Sequence, residues 1–315
     1  MTLRRYVLRR LLLTVPILLG VSMLTFALVK LLPGGPVDYV LQFHTATPEL
    51  RATLRHQYHL DAPVWKQYLL WLRDAVHLDF GTRVASDRSV AAAVAARLPA
   101  TLALGALSFL VAVGVGVPAG VVAAVNRGDP VDELSRVAAL VGVATPNFWL
   151  GLLAVIVFGV RLNLVSVIPP VAPLLSPATL RFMVMPALVL GTASAALFTR
   201  LTRSAVSEQL RADYVRTARA KGLPERTVVG KHVLRNSLVS VVTVAALQVA
   251  VLVDGAVVVE RVFSWPGVGR LLVRAILQRD FPVVQAVVLL VATAVVASNL
   301  LADVLYAWLD PRIRY

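Results

Sequence analysis

Long uncharged apolar runs constrain this chain before anything else. Leu98–Val125, Val137–Val160, Phe182–Thr199 and Phe281–Ala302 contain no Asp, Glu, Lys or Arg. Leu11–Leu32 carries one charge, Lys30, near its end, where it can snorkel outward, and Asn236–Val259 carries one acid, Asp254. The hydrocarbon core of a bilayer is about 30 Å thick and a helix rises about 1.5 Å per residue, so about 20 apolar residues cross it. A spanning segment in lipid must pair its own backbone groups, which selects helices. The sequence therefore predicts an all-α fold, a polytopic membrane bundle of six transmembrane helices.

Composition closes off the alternatives. The chain is 58% hydrophobic and only 15% charged, with mean hydropathy +0.78, far too apolar for a soluble domain of 315 residues. Its net charge of +14 sits between apolar runs, with few aromatics interleaved, so orientation in a membrane explains it better than nucleic acid does. Without cysteine, disulfides and thiolate metal sites are impossible. Arg4, Arg5, Arg9 and Arg10 before an apolar run imitate a signal peptide. That run exceeds a signal h-region of about 7–15 residues and ends without a small-x-small site, so it reads as an uncleaved first span.

A seventh uncharged stretch, Leu162–Leu180, contains Pro169, Pro170, Pro173 and Pro177. Each proline leaves a carbonyl without its helical donor, and the stretch reads as an extramembrane or re-entrant loop. Lys and Arg in short loops set orientation. With the N-terminus inside, residues 1–10, 126–136, 200–235 and the C-terminal tail hold 17 basic residues, against six in 161–181 and 260–280. Both termini are then expected in the cytoplasm. Residues 1–10 form the cytoplasmic N-terminus, 11–32 the first span and 33–97 an extracytoplasmic insert. In that insert Pro33-Gly34-Gly35-Pro36 ends the first helix, Glu49–His59 reads as a short helix, and Pro63 and Gly81 punctuate the rest.

Enzymatic constellations are missing. No HExxH, GxSxG or GxGxxG occurs, and Gly230-Lys231 is followed by His232 where a phosphate loop needs Ser or Thr. No cofactor is expected in this chain. His44, His56, His59 and His77 share the insert without cysteine or paired carboxylates, and read as ordinary loop histidines rather than a metal site. Gly116 and Gly120 form a GxxxG suited to close helix packing. Pro146 interrupts the third span beside Asn147, as a packed kink or a pathway-lining one. Asp254 is a candidate for the pathway or for a structural hydrogen bond.

Arg200–Arg235 is the most patterned loop. Asp213–Lys221 reads as a short helix with an acid at its start and basic residues toward its end. Gly222 supplies the C-terminal cap, and Pro224 enforces the stop and suits the start of a helix entering the fifth span. Ala218, Ala220 and Gly222 are small enough for a partner surface to approach. Arg216, Arg219 and Lys221 offer it charge.

Tyr214-Val215-Arg216-Thr217-Ala218-Arg219-Ala220-Lys221-Gly222-Leu223, with His232-Val233-Leu234-Arg235-Asn236 after it, resembles the EAA loop of ABC-class importer permeases. The variant is similar to the dipeptide/oligopeptide permease family (DppB/OppB type). Asp79-Phe80-Gly81, Gly255-Ala256 with Glu260, Phe263-Ser264-Trp265-Pro266-Gly267-Val268-Gly269 and the ending Tyr306–Arg312 follow the family in the same order. Leu78 stands where the family usually has glycine, Arg83 replaces a usual serine and Asp254 a usual small residue.

The resemblance implies a type I permease fold, with residues 98–307 forming the shared transmembrane domain, the EAA loop at 203–235, and 308–315 a cytoplasmic tail. It implies a homologous second permease, two cytoplasmic ATPases that bind ATP and magnesium, and an extracytoplasmic binding protein. Asp213, Tyr214, Arg216, Thr217, Ala218, Arg219, Ala220, Lys221 and Gly222 would couple to the ATPases. Pro146, Asn147, Asp254 and Glu260 remain candidates for pathway or packing. The expected function is import of dipeptides or oligopeptides, with nickel or glutathione as alternative cargo. An ion-coupled secondary transporter would carry several ionisable groups within its spans, and only Asp254 lies well inside one here.

Overall fold

In the computed structural model the backbone of residues 3–31, 37, 41, 47–57, 60–83 and 86–309 is described; within these, the side chains of 3–7, 50, 51, 53, 54, 57, 86, 87, 253, 254 and 305–309 are not. Pro33–Pro36, His44, His59 and most of the 308–315 tail lie outside the described residues.

The elements run α1 (Leu3–Leu31), α2 (Pro48–Gln57), α3 (Val64–Val76), β1 (Thr82–Arg83), β2 (Ser86–Ser89), α4 (Val90–Ala95), α5 (Leu98–Val125), α6 (Pro130–Ala144), α7 (Asn147–Ala154), α8 (Pro177–Gln209), α9 (Asp213–Ala220), α10 (Glu225–Thr227), α11 (Leu234–Val262), α12 (Val268–Leu277) and α13 (Phe281–Leu309). Wide π-helical turns extend α7 over Val155–Arg161 and join α10 to α11 over Val228–Val233. The insert's expected helix appears as α2, and β1 pairs with β2 in a short antiparallel ribbon.

The fold is an all-α polytopic membrane bundle. Among the described residues five helical stretches are long and apolar enough to cross a bilayer: Leu8–Leu31, Val90–Val125, Pro177–Gln209, Glu225–Leu252 and Phe281–Val304. The sixth expected span, Val137–Val160, is not one rod. Pro130–Ala144 and Asn147–Arg161 meet at an angle of 101°. Proline at 146 pushes the residue before it out of the helical region, and Thr145 sits extended at ψ 122°. Pro146 is itself extended at ψ 133°, so the expected kink is a full break.

The chain divides into two compact units. One comprises Leu102–Trp265 and Ala297–Tyr315. Its core is α8: two thirds of its apolar window is buried, 67%. The GxxxG expected to pack closely does so. A methyl group on Gly116 would stand 2.5 Å from the Ala195 carbonyl oxygen, and one on Gly120 would stand 2.6 Å from that of Thr199. Gly191 returns the contact from α8, 2.8 Å from the Ser108 carbonyl. Small residues let α5 and α8 approach backbone to backbone, the usual means of association in lipid. Gln248 Nε2 donates to Ser194 Oγ at 3.0 Å, a buried polar tie between α11 and α8. The proline-rich stretch is irregular only over residues 162–176. Pro177 occupies the first position of α8, where a missing N–H costs nothing, and Ser176 caps the helix by accepting from the Thr179 amide at 3.2 Å.

The other unit comprises Thr2–Thr101 and Pro266–Val296. Val90, Val268, Leu271, Ala275, Val283, Ala286 and Val287 form its core. Arg83 Nε lies 3.4 Å from Oδ2 of the wholly buried Asp280. Lys30 does not simply reach outward: its ammonium donates to Gln67 Oε1 and sits 5.6 Å from the Phe26 ring centroid.

Four helices end in the same way. In α3, α9, α11 and α12 an amide two residues past the cap returns to a carbonyl of the last turn: Asp79 to Asp74 at 2.9 Å, Leu223 to Ala218 at 3.4 Å, Trp265 to Glu260 at 2.9 Å and Asp280 to Ala275 at 2.8 Å. This is the Schellman geometry, which needs a left-handed residue between them. The residues there are Leu78 (φ 60°), Gly222 (φ 74°), Ser264 (φ 55°) and Arg279 (φ 51°). Only one of the four is glycine.

Candidate functional site: the helix at 213–220 and its seat

Helix α9 has two faces set by a 3.6-residue period. Val215 (0% exposed) and Ala218 (7%) point down into a cluster with Ala124 of α5, Val206 of α8, and Val228 and Val233 of the π-helical turn. Asp213, Tyr214, Arg216, Thr217, Arg219, Ala220, Lys221 and Gly222 are exposed. The structure thus corrects one reading: Ala218 is part of the keel, one turn from Val215, and its small side chain seats the helix rather than admitting a partner. Ala220 and Gly222 remain open.

Local bonds hold the exposed face in shape. Ala212 takes the N-cap position, so Asp213 is the first-turn acid, and it pairs with Arg216 at 3.2 Å. Thr217 Oγ1 donates to the Asp213 carbonyl at 3.1 Å, and Tyr214 Oη to Gln209 Oε1 at 2.7 Å. Past the Gly222 cap the chain turns at Pro224, which serves as N-cap of α10 rather than as its first residue. Arg219 spans that turn and grips Glu225 with both Nη2 (2.6 Å) and Nε (3.1 Å). The carboxylate accepting those bonds raises the already high pKa of the guanidinium.

A second pair lies one turn back along α8. Arg203 holds Asp132 of α6 through Nε at 2.5 Å and Nη2 at 2.8 Å, and the Gly128 amide donates to the same carboxylate at 3.1 Å. The pair is largely buried, with side chains 24% and 4% exposed. Sequence reasoning missed it: both residues fall in stretches it read as charged loops, and nothing local relates positions 71 apart. A pair of this burial and fork geometry costs several kcal/mol to break from one side. It ties α6 to the helix that carries the α9 seat.

Of the remaining candidates, Asn147 opens α7, half-buried, with Nδ2 3.7 Å from where a methyl on Gly255 would stand, so the break at Pro146 meets α11. Glu260 is wholly buried in the last turn of α11. Asp254 lies on α11, and its side chain is outside those described. Among the described residues no three His, Cys, Asp or Glu gather into a metal set.

A short charged helix with an apolar keel, placed between two membrane helices and held by ion pairs, marks a polytopic membrane protein with one ordered polar loop between its spans. The chain belongs to the family of binding-protein-dependent transport system inner membrane components, which matches residues 116–315, and the N-terminal module of the same systems matches residues 3–105. It is 40% identical to the dipeptide transport system permease protein DppB of Escherichia coli K12 over 335 aligned positions, covering 99% of each chain. It is similarly 40% identical to the di/tripeptide transport system permease protein of Pseudomonas aeruginosa over 98% of each. With DppB of Alkalihalophilus pseudofirmus it shares 37%, over 98% of this chain and 99% of that one. The chain is a permease component and not a catalytic subunit.

Proposed function

We propose that this chain is one of two homologous permease subunits in an ATP-driven importer of short peptides, set in a bacterial inner membrane with both termini in the cytoplasm. Two cytoplasmic ATPases bind ATP and magnesium and receive α9 in a groove. An extracytoplasmic binding protein delivers the peptide. The observation that carries the reading is the build of α9. Its keel of Val215 and Ala218 makes it one body with the ends of α5 and α8, while its polar face is exposed. A rigid element so seated transmits a push from a partner to the spans, and the permease pair rocks between outward-facing and inward-facing states. The names of the relatives, dipeptide and di/tripeptide systems, support peptide cargo.

The test is reconstitution of the chain with its second permease, ATPases and binding protein in vesicles. Peptide-loaded binding protein should stimulate ATP hydrolysis, and Ala220→Cys should cross-link to an ATPase cysteine placed in its groove. Stimulation by nickel or glutathione but not by peptides would overturn the cargo. Absence of any cross-link in an active complex would remove α9 from the coupling.

A further inference from the structure

The second unit holds a cavity of about 240 Å³ that the coupling machinery does not use. Its lining combines aromatic walls, Phe26, Trp71, Phe80 and Phe281, with polar groups of opposite charge. We propose that it binds an α-amino-acid unit with an apolar side chain: the carboxyl-terminal residue of a short peptide, or a free amino acid.

The argument begins at Gln285. It lies on α13 inside an otherwise uncharged membrane run and lines the cavity. It is 93% buried, at 7% exposure, and its carboxamide makes no hydrogen bond among the described residues. Its polar atoms are not sealed off from the cavity, so the carboxamide presents an unused donor and acceptor to whatever fills it. A ligand offering an adjacent acceptor and donor, as a peptide group or a terminal carboxyl and amine do, would satisfy both.

Lys30 adds direction. Its ammonium has three donors, and one goes to Gln67. Gln67 is fixed in turn, donating to the Ala62 carbonyl at 2.7 Å and the Leu60 carbonyl at 3.4 Å. The cation is thus braced from behind by a buried side chain, with two N–H groups left for an anion. Asp74 and Asp79 line the same cavity and supply carboxylates for a positive or N–H group; Oδ1 of Asp74 already pairs with Arg73 at 3.3 Å and Oδ1 of Asp79 accepts from the Gly81 amide at 2.9 Å, which leaves the other oxygen of each. Carboxylate, ammonium and an apolar side chain in one small volume are the signature of a free amino acid; at a peptide's carboxyl-terminal residue the nitrogen is an amide, which offers the same carboxylates an N–H donor instead. The space suits a single residue, not a long peptide.

The choice of a peptide end as an occupant rests on the importer reading, and the experiment separates the two. The purified full-length chain in lipid nanodiscs is titrated with the dipeptide Ala-Phe, read by tryptophan fluorescence. A saturable change is expected that disappears in Trp71→Phe and weakens at least tenfold in Gln285→Leu. Amidating the dipeptide's carboxyl should weaken binding to the unmodified chain by a similar factor, a test that needs no altered protein. Free phenylalanine giving the same curve identifies the amino acid as ligand; response to Ala-Phe alone identifies the peptide end. No saturable change, or one indifferent to both Gln285→Leu and amidation, overturns the proposal. A complex that accumulates no peptide while the chain still binds Ala-Phe overturns the importer reading and leaves the site. Normal uptake without binding removes the site and leaves the importer.

Discussion

Arg219 and Glu225 close a clamp over the turn at Gly222–Pro224, with two parallel bonds of 2.6 and 3.1 Å. Both side chains are roughly half exposed, 44% and 51%, so the pair is worth less than about 1 kcal/mol to folding. Its value lies in fixing the angle between α9 and the chain entering α11. Glu225→Ala should leave expression and melting temperature nearly unchanged while lowering peptide-stimulated ATP hydrolysis by the complex. The exchange Arg219→Glu with Glu225→Arg should restore part of it. A double variant no better than either single one would show that the clamp does not set coupling.

Gly222 has φ 74° and open space where a side chain would be, so its constraint is backbone alone. Gly222→Val should cost about 1–2 kcal/mol at this turn and uncouple transport from hydrolysis. Gly222→Asn, which tolerates the left-handed region, should behave close to the parent. Equal transport rates in both variants would exclude the cap from the mechanism.

Leu78 takes the same left-handed position in α3, at φ 60°, and its side chain is 69% exposed. Removing that side chain sacrifices little burial and relieves strain. Leu78→Gly should raise stability by about 0.5–1 kcal/mol, seen as a higher melting temperature of the purified chain. A lower one would mean that the side chain contributes more through its apolar neighbours than the backbone loses.

Gly116→Ala places a methyl 2.5 Å from a carbonyl oxygen and 2.7 Å from Phe198 Cβ. Overpacking of this kind costs roughly 1–3 kcal/mol, and α5 should separate from α8. Gly105→Ala on the same helix meets nothing within 4 Å and should be neutral or slightly stabilising. Thermal unfolding of the two in detergent makes the comparison; similar losses would indicate that the crossing is not tight.

The chain has no cysteine, so orientation is testable without background. Lys66→Cys, exposed on α3, should react with an impermeant maleimide in intact cells, and Ala220→Cys should react only after permeabilisation. The opposite pattern would invert the topology.

What the sequence made legible was what is local. Charge-free runs located the membrane helices, and Gly222 with Pro224 predicted both the end of α9 and the restart after it. Proline at 146 announced an interruption, but its size depended on Thr145 also leaving the helical region, giving two extended residues and a 101° corner. Ala218 was misassigned because smallness was weighed without the helical phase that places it beside Val215. Pairs remote in sequence were silent: Asp132 with Arg203, and Arg83 with Asp280, 197 positions apart. Arg83 and Leu78 did stand out as departures from the family pattern, and each has a structural counterpart, an ion pair and a left-handed cap. Gln285 passed as one polar residue in an apolar run, since burial without a partner is a property of the folded chain alone.

The corner at Pro146 also bears on the life of the chain before assembly. The last turn of a helix carries carbonyls without intrahelical donors; here Thr145 satisfies that of Val141 with its amide and hydroxyl, and the turn's remaining residues, Gly142–Ala144, end within an apolar run. Ala144 and Pro146 are exposed on the single chain, and lipid offers such carbonyls nothing. Hydrocarbon is therefore a poor long-term neighbour for this surface. An orphan copy, synthesised without whatever covers the corner, displays a polar flaw that membrane proteases and insertases can read.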